Sequence, residues 1–114
     1  DNENSAAGKL DRVLDYIKHN FNRDISLKDM ADLASVSTSY LCRIFKNEFN
    51  LTPIAYLIKY RINKAKESLI NNPDKSIKEI ASETGFSDNS YFGAIFREYE
   101  GCSPKQFREL YSRQ

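Results

Sequence analysis

Apolar residues return every three or four positions through most of the chain, the period of helices that bury one face. Leu10, Val13, Leu14, Ile17 and Phe21 set the first such pattern, with Asp11, Arg12, Asp15 and Lys18 between them, and predict an amphipathic support helix. Ser26-Leu27-Lys28-Asp29 then reads as a capping box with Asp in place of Glu, opening a short helix through Met30, Ala31 and Leu33 to Ala34. Ser35-Val36-Ser37 is a turn. From Thr38 a further helix buries Tyr40, Leu41, Ile44, Phe45 and Phe49 and leaves Ser39, Cys42, Arg43, Lys46 and Asn47 outside. Two short helices across so tight a turn read as a helix-turn-helix.

The longest pattern runs from Thr52 to Asn72. Thr52 is a good N-cap and Pro53 suits the first helical position, where a missing N–H is no loss. At about 100° per residue Ile54, Leu57, Ile58, Ile62, Ala65 and Leu69 share a face, while Tyr56 and Tyr60 point nearly opposite. A helix with two surfaces to bury suits a connector between two units. Arg61 falls inside the apolar stripe, as a stapling arginine paired with a carboxylate does; Lys59, Lys64 and Lys66 lie outside it.

After a turn at Asn71-Asn72-Pro73-Asp74 the pattern repeats. Ser76-Ile77-Lys78-Glu79-Ile80-Ala81 follows Ser26-Leu27-Lys28-Asp29-Met30-Ala31 by fifty residues. One inserted residue makes the offset fifty-one, and Ser90, Tyr91, Ile95, Phe96 and Pro104 then repeat Ser39, Tyr40, Ile44, Phe45 and Pro53. Arg97 answers Lys46, Phe107 answers Tyr56, and Ser103-Pro104 opens a last helix as Thr52-Pro53 opens the connector. A hairpin that only filled a core has no reason to recur with its turn, cap and exposed positions together. The expected fold is therefore all-α, with seven helices and two helix-turn-helix subdomains joined by a long linker helix. The boundaries read as a linker or disordered tail over residues 1–8, a first subdomain over 9–52, the linker helix over 53–72 and a second subdomain over 73–114.

Composition narrows the chemistry. The net charge of +1 demands no nucleic-acid partner by itself, but the charge is uneven: from Thr38 to Lys66 the ionised groups are Arg43, Lys46, Lys59, Arg61, Lys64 and Lys66 against Glu48 alone, so the remainder is acidic. Two cysteines, Cys42 and Cys102, and one histidine, His19, offer neither a disulfide scaffold nor a zinc spacing, so no metal or cofactor is expected. The longest apolar run, Ile54 to Ile58, is too short for a bilayer, and no charged-then-apolar leader stands at the start, so a reducing cytoplasm and no membrane are expected. Met30 is the sole methionine and lies within a helix, so a fragment of a longer chain is expected. There is no glycine loop for phosphates and no nucleophile beside a base, which argues against an enzyme.

The run Gly85-Phe86-Ser87-Asp88-Asn89-Ser90-Tyr91-Phe92, then Phe96-Arg97, Gly101-Cys102-Ser103-Pro104 and Phe107-Arg108, resembles the C-terminal motif of the AraC/XylS-type bacterial transcription regulators. Arg61-Ile62-Asn63-Lys64-Ala65-Lys66 resembles that family's linker helix, and Ser39-Tyr40-Leu41-Cys42-Arg43-Ile44-Phe45-Lys46 its first recognition helix. The resemblance implies sequence-specific binding of double-stranded DNA, with both recognition helices in adjacent major grooves of one face, which recur about every 34 Å. It also implies a separate sensing, dimerising or phosphoacceptor domain. The isolated domain is expected to be monomeric, the intact protein dimeric through that domain, and RNA polymerase a further partner.

Residue by residue, the resemblance assigns Thr38, Ser39, Cys42 and Arg43 to base reading in the first unit and Asn89, Ser90, Gly93 and Ala94 in the second. Arg43 leads, because a guanidinium gives two hydrogen bonds to guanine. Lys46, Asn47 and Arg97 suit phosphates, with backbone N–H groups near Ser26, Ser37, Ser76 and Ser87 as helpers. Ala94 stands where the family commonly has arginine, so the second unit is expected to read bases weakly. A competing reading is a helical protein-interaction module with the Tyr and Phe side chains as its docking surface. Most of those aromatics fall at core positions of the repeat, which favours DNA.

Overall fold

In the computed structural model, which describes residues 5–112, every helix starts behind a short polar side chain. Ser5 precedes α1 (Ala6–Asn20), Ser26 precedes α2 (Leu27–Leu33) and Ser37 precedes α3 (Thr38–Phe49). Thr52 precedes α4 (Pro53–Asn71), its hydroxyl accepting from Ala55 N–H at 3.2 Å. Ser76 precedes α5 (Ile77–Glu83), Asp88 precedes α6 (Asn89–Glu100) and Ser103 precedes α7 (Pro104–Tyr111). Each cap satisfies N–H groups that a helix cannot bond internally, for about 1 kcal/mol. The capping box expected at Ser26 is closed: Asp29 N–H reaches the Ser26 hydroxyl and Ser26 N–H the Asp29 carboxylate, both at 3.0 Å. Those bonds hold the Asp29 carboxyl below the usual carboxylate range.

The described residues are all-α. They form two compact units that divide inside α4, between Ile58 and Lys59, so the long helix is shared out rather than standing apart as a third piece. Residues 5–8 of the expected tail belong to α1 and its cap. Ser5 caps α1 and Ala6, Ala7 and Gly8 are helical, while residues 1–4 lie outside the described residues.

In the first unit Leu10, Val13 and Ile17 of α1 are buried with Met30, Ala31, Leu41, Ile44 and Phe45. Fully burying a Val, Leu, Ile, Met or Phe side chain contributes about 1.5 to 3 kcal/mol. Phe45, Phe49 and the Tyr56 ring at the start of α4 form one cluster, Tyr56 standing edge-on to Phe45 at 5.7 Å. The second unit repeats the device with Phe107 edge-on to Phe96 at 5.4 Å. It buries Ile62, Ala65 and Leu69 from the later part of α4. These three stand fifty-two residues after Leu10, Val13 and Ile17, so the repeat includes the support helix as well as the helix-turn-helix.

The turns match too. Ser35 and Gly85, fifty residues apart, both take the left-handed conformation, at φ 57° and 97°. Behind them Val36 N–H bonds Ala31 C=O at 3.0 Å, and Phe86 N–H bonds Ala81 C=O at 2.9 Å. Asn50 and Gly101 end α3 and α6 at φ 58° and 79°. Long side chains from neighbouring helices cap carbonyls where a last turn has no base of its own. Lys9 Nζ reaches Ala34 C=O at 3.2 Å, and Arg108 donates to Leu69 and Asn72 C=O at 3.0 and 3.2 Å.

Candidate nucleic-acid interface

On α3 the core positions Leu41, Ile44 and Phe45 occupy one side of the helix. Thr38, Ser39, Cys42, Arg43 and Lys46 fall within an arc of about 140° on the other. All are exposed except Cys42, which is half-buried. The arc carries hydroxyls, a thiol, a guanidinium and an ammonium, a set able to donate to base edges and phosphates. At its N-terminal end the cap is neutral, Ser37 accepting from Tyr40 N–H at 3.1 Å, and the first turn holds no acid. The partial positive charge of the helix start is therefore left for an outside anion.

The cations are not equal. Lys64 lies 3.8 Å from Glu67, and Lys66 pairs with Glu100 at 3.1 Å, half-covered and near the Phe107 ring. Among the described residues no carboxylate pairs with Arg43 or Lys46. The Arg43 guanidinium carbon lies 5.1 Å from the centre of the Tyr40 ring, and Lys46 Nζ makes a long 3.4 Å contact with Asn50 C=O. Much of the basic excess available to a partner thus sits on α3. Asn47 is exposed beside it and also lines a cleft of about 380 Å³ against Ala6, Leu10 and Leu14 of α1.

On α6 the same arc is poorer. Asn89, Ser90 and Ala94 are exposed and Gly93 is half-buried, but the long donor is gone. A Cβ added at Gly93 would meet nothing within 4 Å, so packing does not require glycine there. Asp88 caps this helix, one carboxylate oxygen accepting from Ser90 and Tyr91 N–H at 2.8 and 3.1 Å. Ser87 is exposed next to it. A full negative charge thus sits where α3 has a neutral hydroxyl, opposing phosphate at the helix start. Arg97 remains exposed in the last turn.

Ser26 and Ser76 are exposed, but each has its hydroxyl and its own N–H engaged in a capping box with Asp29 or Glu79. What these starts offer a phosphate is the remaining first-turn N–H groups, with a carboxylate alongside. Two features lie outside the sequence expectations. Asp88 rather than Ser87 caps α6, and its signal is the offset of fifty-one, which sets Ser37 on Asp88. The Tyr40 ring beside Arg43 has its signal in the three-residue spacing that makes helix neighbours.

The family model described as a helix-turn-helix domain matches residues 30–110. The chain belongs to the AraC/XylS-type helix-turn-helix family. Among curated relatives of this family, the melibiose operon regulatory protein of Escherichia coli strain K12 is 33% identical over 101 residues, 89% of this chain and 33% of that protein. The chain spans about a third of the length of several such relatives. Among solved structures, the C-terminal domain of AraT, a response regulator from Geobacillus stearothermophilus, has a TM-score of 0.85 at 34% identity, covering 90% of this chain and 84% of that one. The DNA-binding domain of the global transcriptional factor AdpA, solved with a target DNA, has a TM-score of 0.85 at 25% identity, covering 92% and 93%. No helix among the described residues is long and apolar enough to cross a membrane.

Proposed function

We propose that this domain binds double-stranded DNA sequence-selectively to regulate transcription, its two recognition helices, α3 and α6, entering adjacent major grooves. The observation that carries the reading is the α3 arc, where an Arg43 without a carboxylate partner stands with exposed hydroxyls on a helix that a buried face holds rigid. Arg43 is the base reader, with Thr38, Ser39 and Cys42 adding single contacts. Lys46, Asn47 and the α3 start at Ser37 set register on phosphates. In the second unit Asn89 and Ser90 give a weak preference, Gly93 and Ala94 present a donor-free surface, and Arg97 anchors on the backbone. The starts at Ser26, Ser76 and Ser87 are auxiliary phosphate contacts.

The role is one of binding, with no catalytic step. The isolated domain acts as a monomer in the bacterial cytoplasm, and RNA polymerase is the partner through which transcription changes. In the intact protein a further domain dimerises it.

Equilibrium binding to a duplex selected from a random pool, repeated at several salt concentrations, tests the reading. Affinity should fall steeply with salt, and Lys46→Ala should lower the slope of log K against log salt by about one unit. A salt-independent interaction, or failure to enrich any sequence, would instead favour the helical protein-interaction module.

A further inference from the structure

The Arg43 side chain has large rotamer freedom, yet its guanidinium lies 5.1 Å from the centre of the Tyr40 ring, three residues earlier on α3. An arginine can be held in two ways with opposite consequences for a reader of bases. A carboxylate would take its in-plane N–H donors. An aromatic ring takes the flat face of the cation and leaves the donor edge free. Tyr40 is suited to hold it in the second way, since it is half-buried on the helix and has few torsions to order.

We infer that Tyr40 is a positioning residue for base reading, holding the Arg43 plane before DNA arrives so that less freedom is lost when the fork meets guanine. This rests on Arg43 being the base reader. The second unit supplies an internal contrast. Tyr91 stands where Tyr40 does, but Ala94 gives it no cation; the residue is 48% exposed, its ring centre 6.3 Å from that of Phe86. The fold keeps the tyrosine in both units, while the ring–guanidinium pair exists in the one with the arginine.

The test compares Tyr40→Leu and Tyr40→Phe, each with Arg43 present or changed to Ala, on the selected duplex and on its single-base variants. Tyr40→Leu should weaken the selected duplex about two- to five-fold, the range of an exposed cation–π contact. It should also flatten preference at the base pair that Arg43→Ala relaxes. Tyr40→Phe should bind as the unmodified domain does, and Tyr40→Leu should add nothing once Arg43 is gone. Preference is a ratio between duplexes, so a partly unfolded sample does not distort it.

Equal loss with Phe and Leu would assign the effect to the tyrosine hydroxyl and overturn the inference. So would an equal loss on every duplex, or a loss that persists without Arg43, each marking a structural role. If Arg43→Ala itself leaves every preference intact, the base-reading assignment falls and this inference with it. That outcome is distinct from one in which Arg43 matters and Tyr40 does not.

Discussion

The helix starts of α3 and α6 bound the same element in the two units, yet one is closed by the neutral Ser37 and the other by the carboxylate of Asp88. Behind those starts the packing is alike: Leu41, Ile44 and Phe45 answer Phe92, Ile95 and Phe96, and the edge-on ring pair recurs at 5.7 and 5.4 Å. In front of them Ser90 still answers Ser39 and Arg97 answers Lys46, but the other arc positions differ. Arg43 becomes Ala94, Cys42 becomes Gly93, and the one cation of α6, Arg97, is followed directly by an acid, Glu98. A core restricts residues by volume and an exposed arc does not, so a duplicated scaffold keeps its inside and is free to specialise its outside. We read the first unit as the one that discriminates and the second as the one that holds on.

The strongest way to break that comparison is to remove the discriminating donor. Arg43→Ala should cost about 1 to 3 kcal/mol at the selected site and relax preference at one base pair. A binding profile over every single-base change should place penalties of about 1 to 3 kcal/mol each in one half of the site and leave the other shallow. Equal penalties in both halves would end the division of labour. Ala94→Arg should strengthen binding and sharpen the shallow half where the new side chain meets guanine.

The turns allow a stability test of the same likeness. Ser35 bears in the left-handed region a Cβ that Gly85 lacks, so Ser35→Gly should stabilise the first unit by about 1 kcal/mol in urea unfolding. Gly85→Ser should cost the second unit about as much. If Ser35→Gly is destabilising, the two turns are not equivalent in energy despite their matching bonds. The smallest effect is expected at Gly93, where Ala should raise stability by up to about 1 kcal/mol, since packing leaves room for a methyl group. Weaker DNA binding by that more stable variant would show that the glycine serves a close approach to DNA.

Much of the fold is legible in the sequence because caps, turns and helix periods are local. Thr52-Pro53 and Ser103-Pro104 mark helix starts by their own chemistry, and the recurrence of Ser26-Leu27-Lys28-Asp29 exposes the duplication. The start of α1 is not legible, since Ala6, Ala7 and Gly8 carry no apolar period. Nor is the kinship of Leu10, Val13 and Ile17 with Ile62, Ala65 and Leu69, which share no identities and differ from other helix stripes only in position. In the sequence Lys66 counts as an available charge. Its partner Glu100 stands thirty-four residues away, and sequence spacing gives no sign of such a pair. The candidate site is legible as a set of positions, whereas the caps and pairings that rank those positions depend on the fold.

Helix α4 also bears on how such a chain can grow. Its opening, Thr52-Pro53 with Tyr56, matches α7, the closing helix of the second copy; its later part, with Ile62, Ala65 and Leu69, matches α1, the opening helix of the first. The last word of one copy is thus spliced, in continuous helix, to the first word of the next. Joined this way, copies multiply in a gene without a linker having to be invented, and each new copy arrives with its support helix already attached.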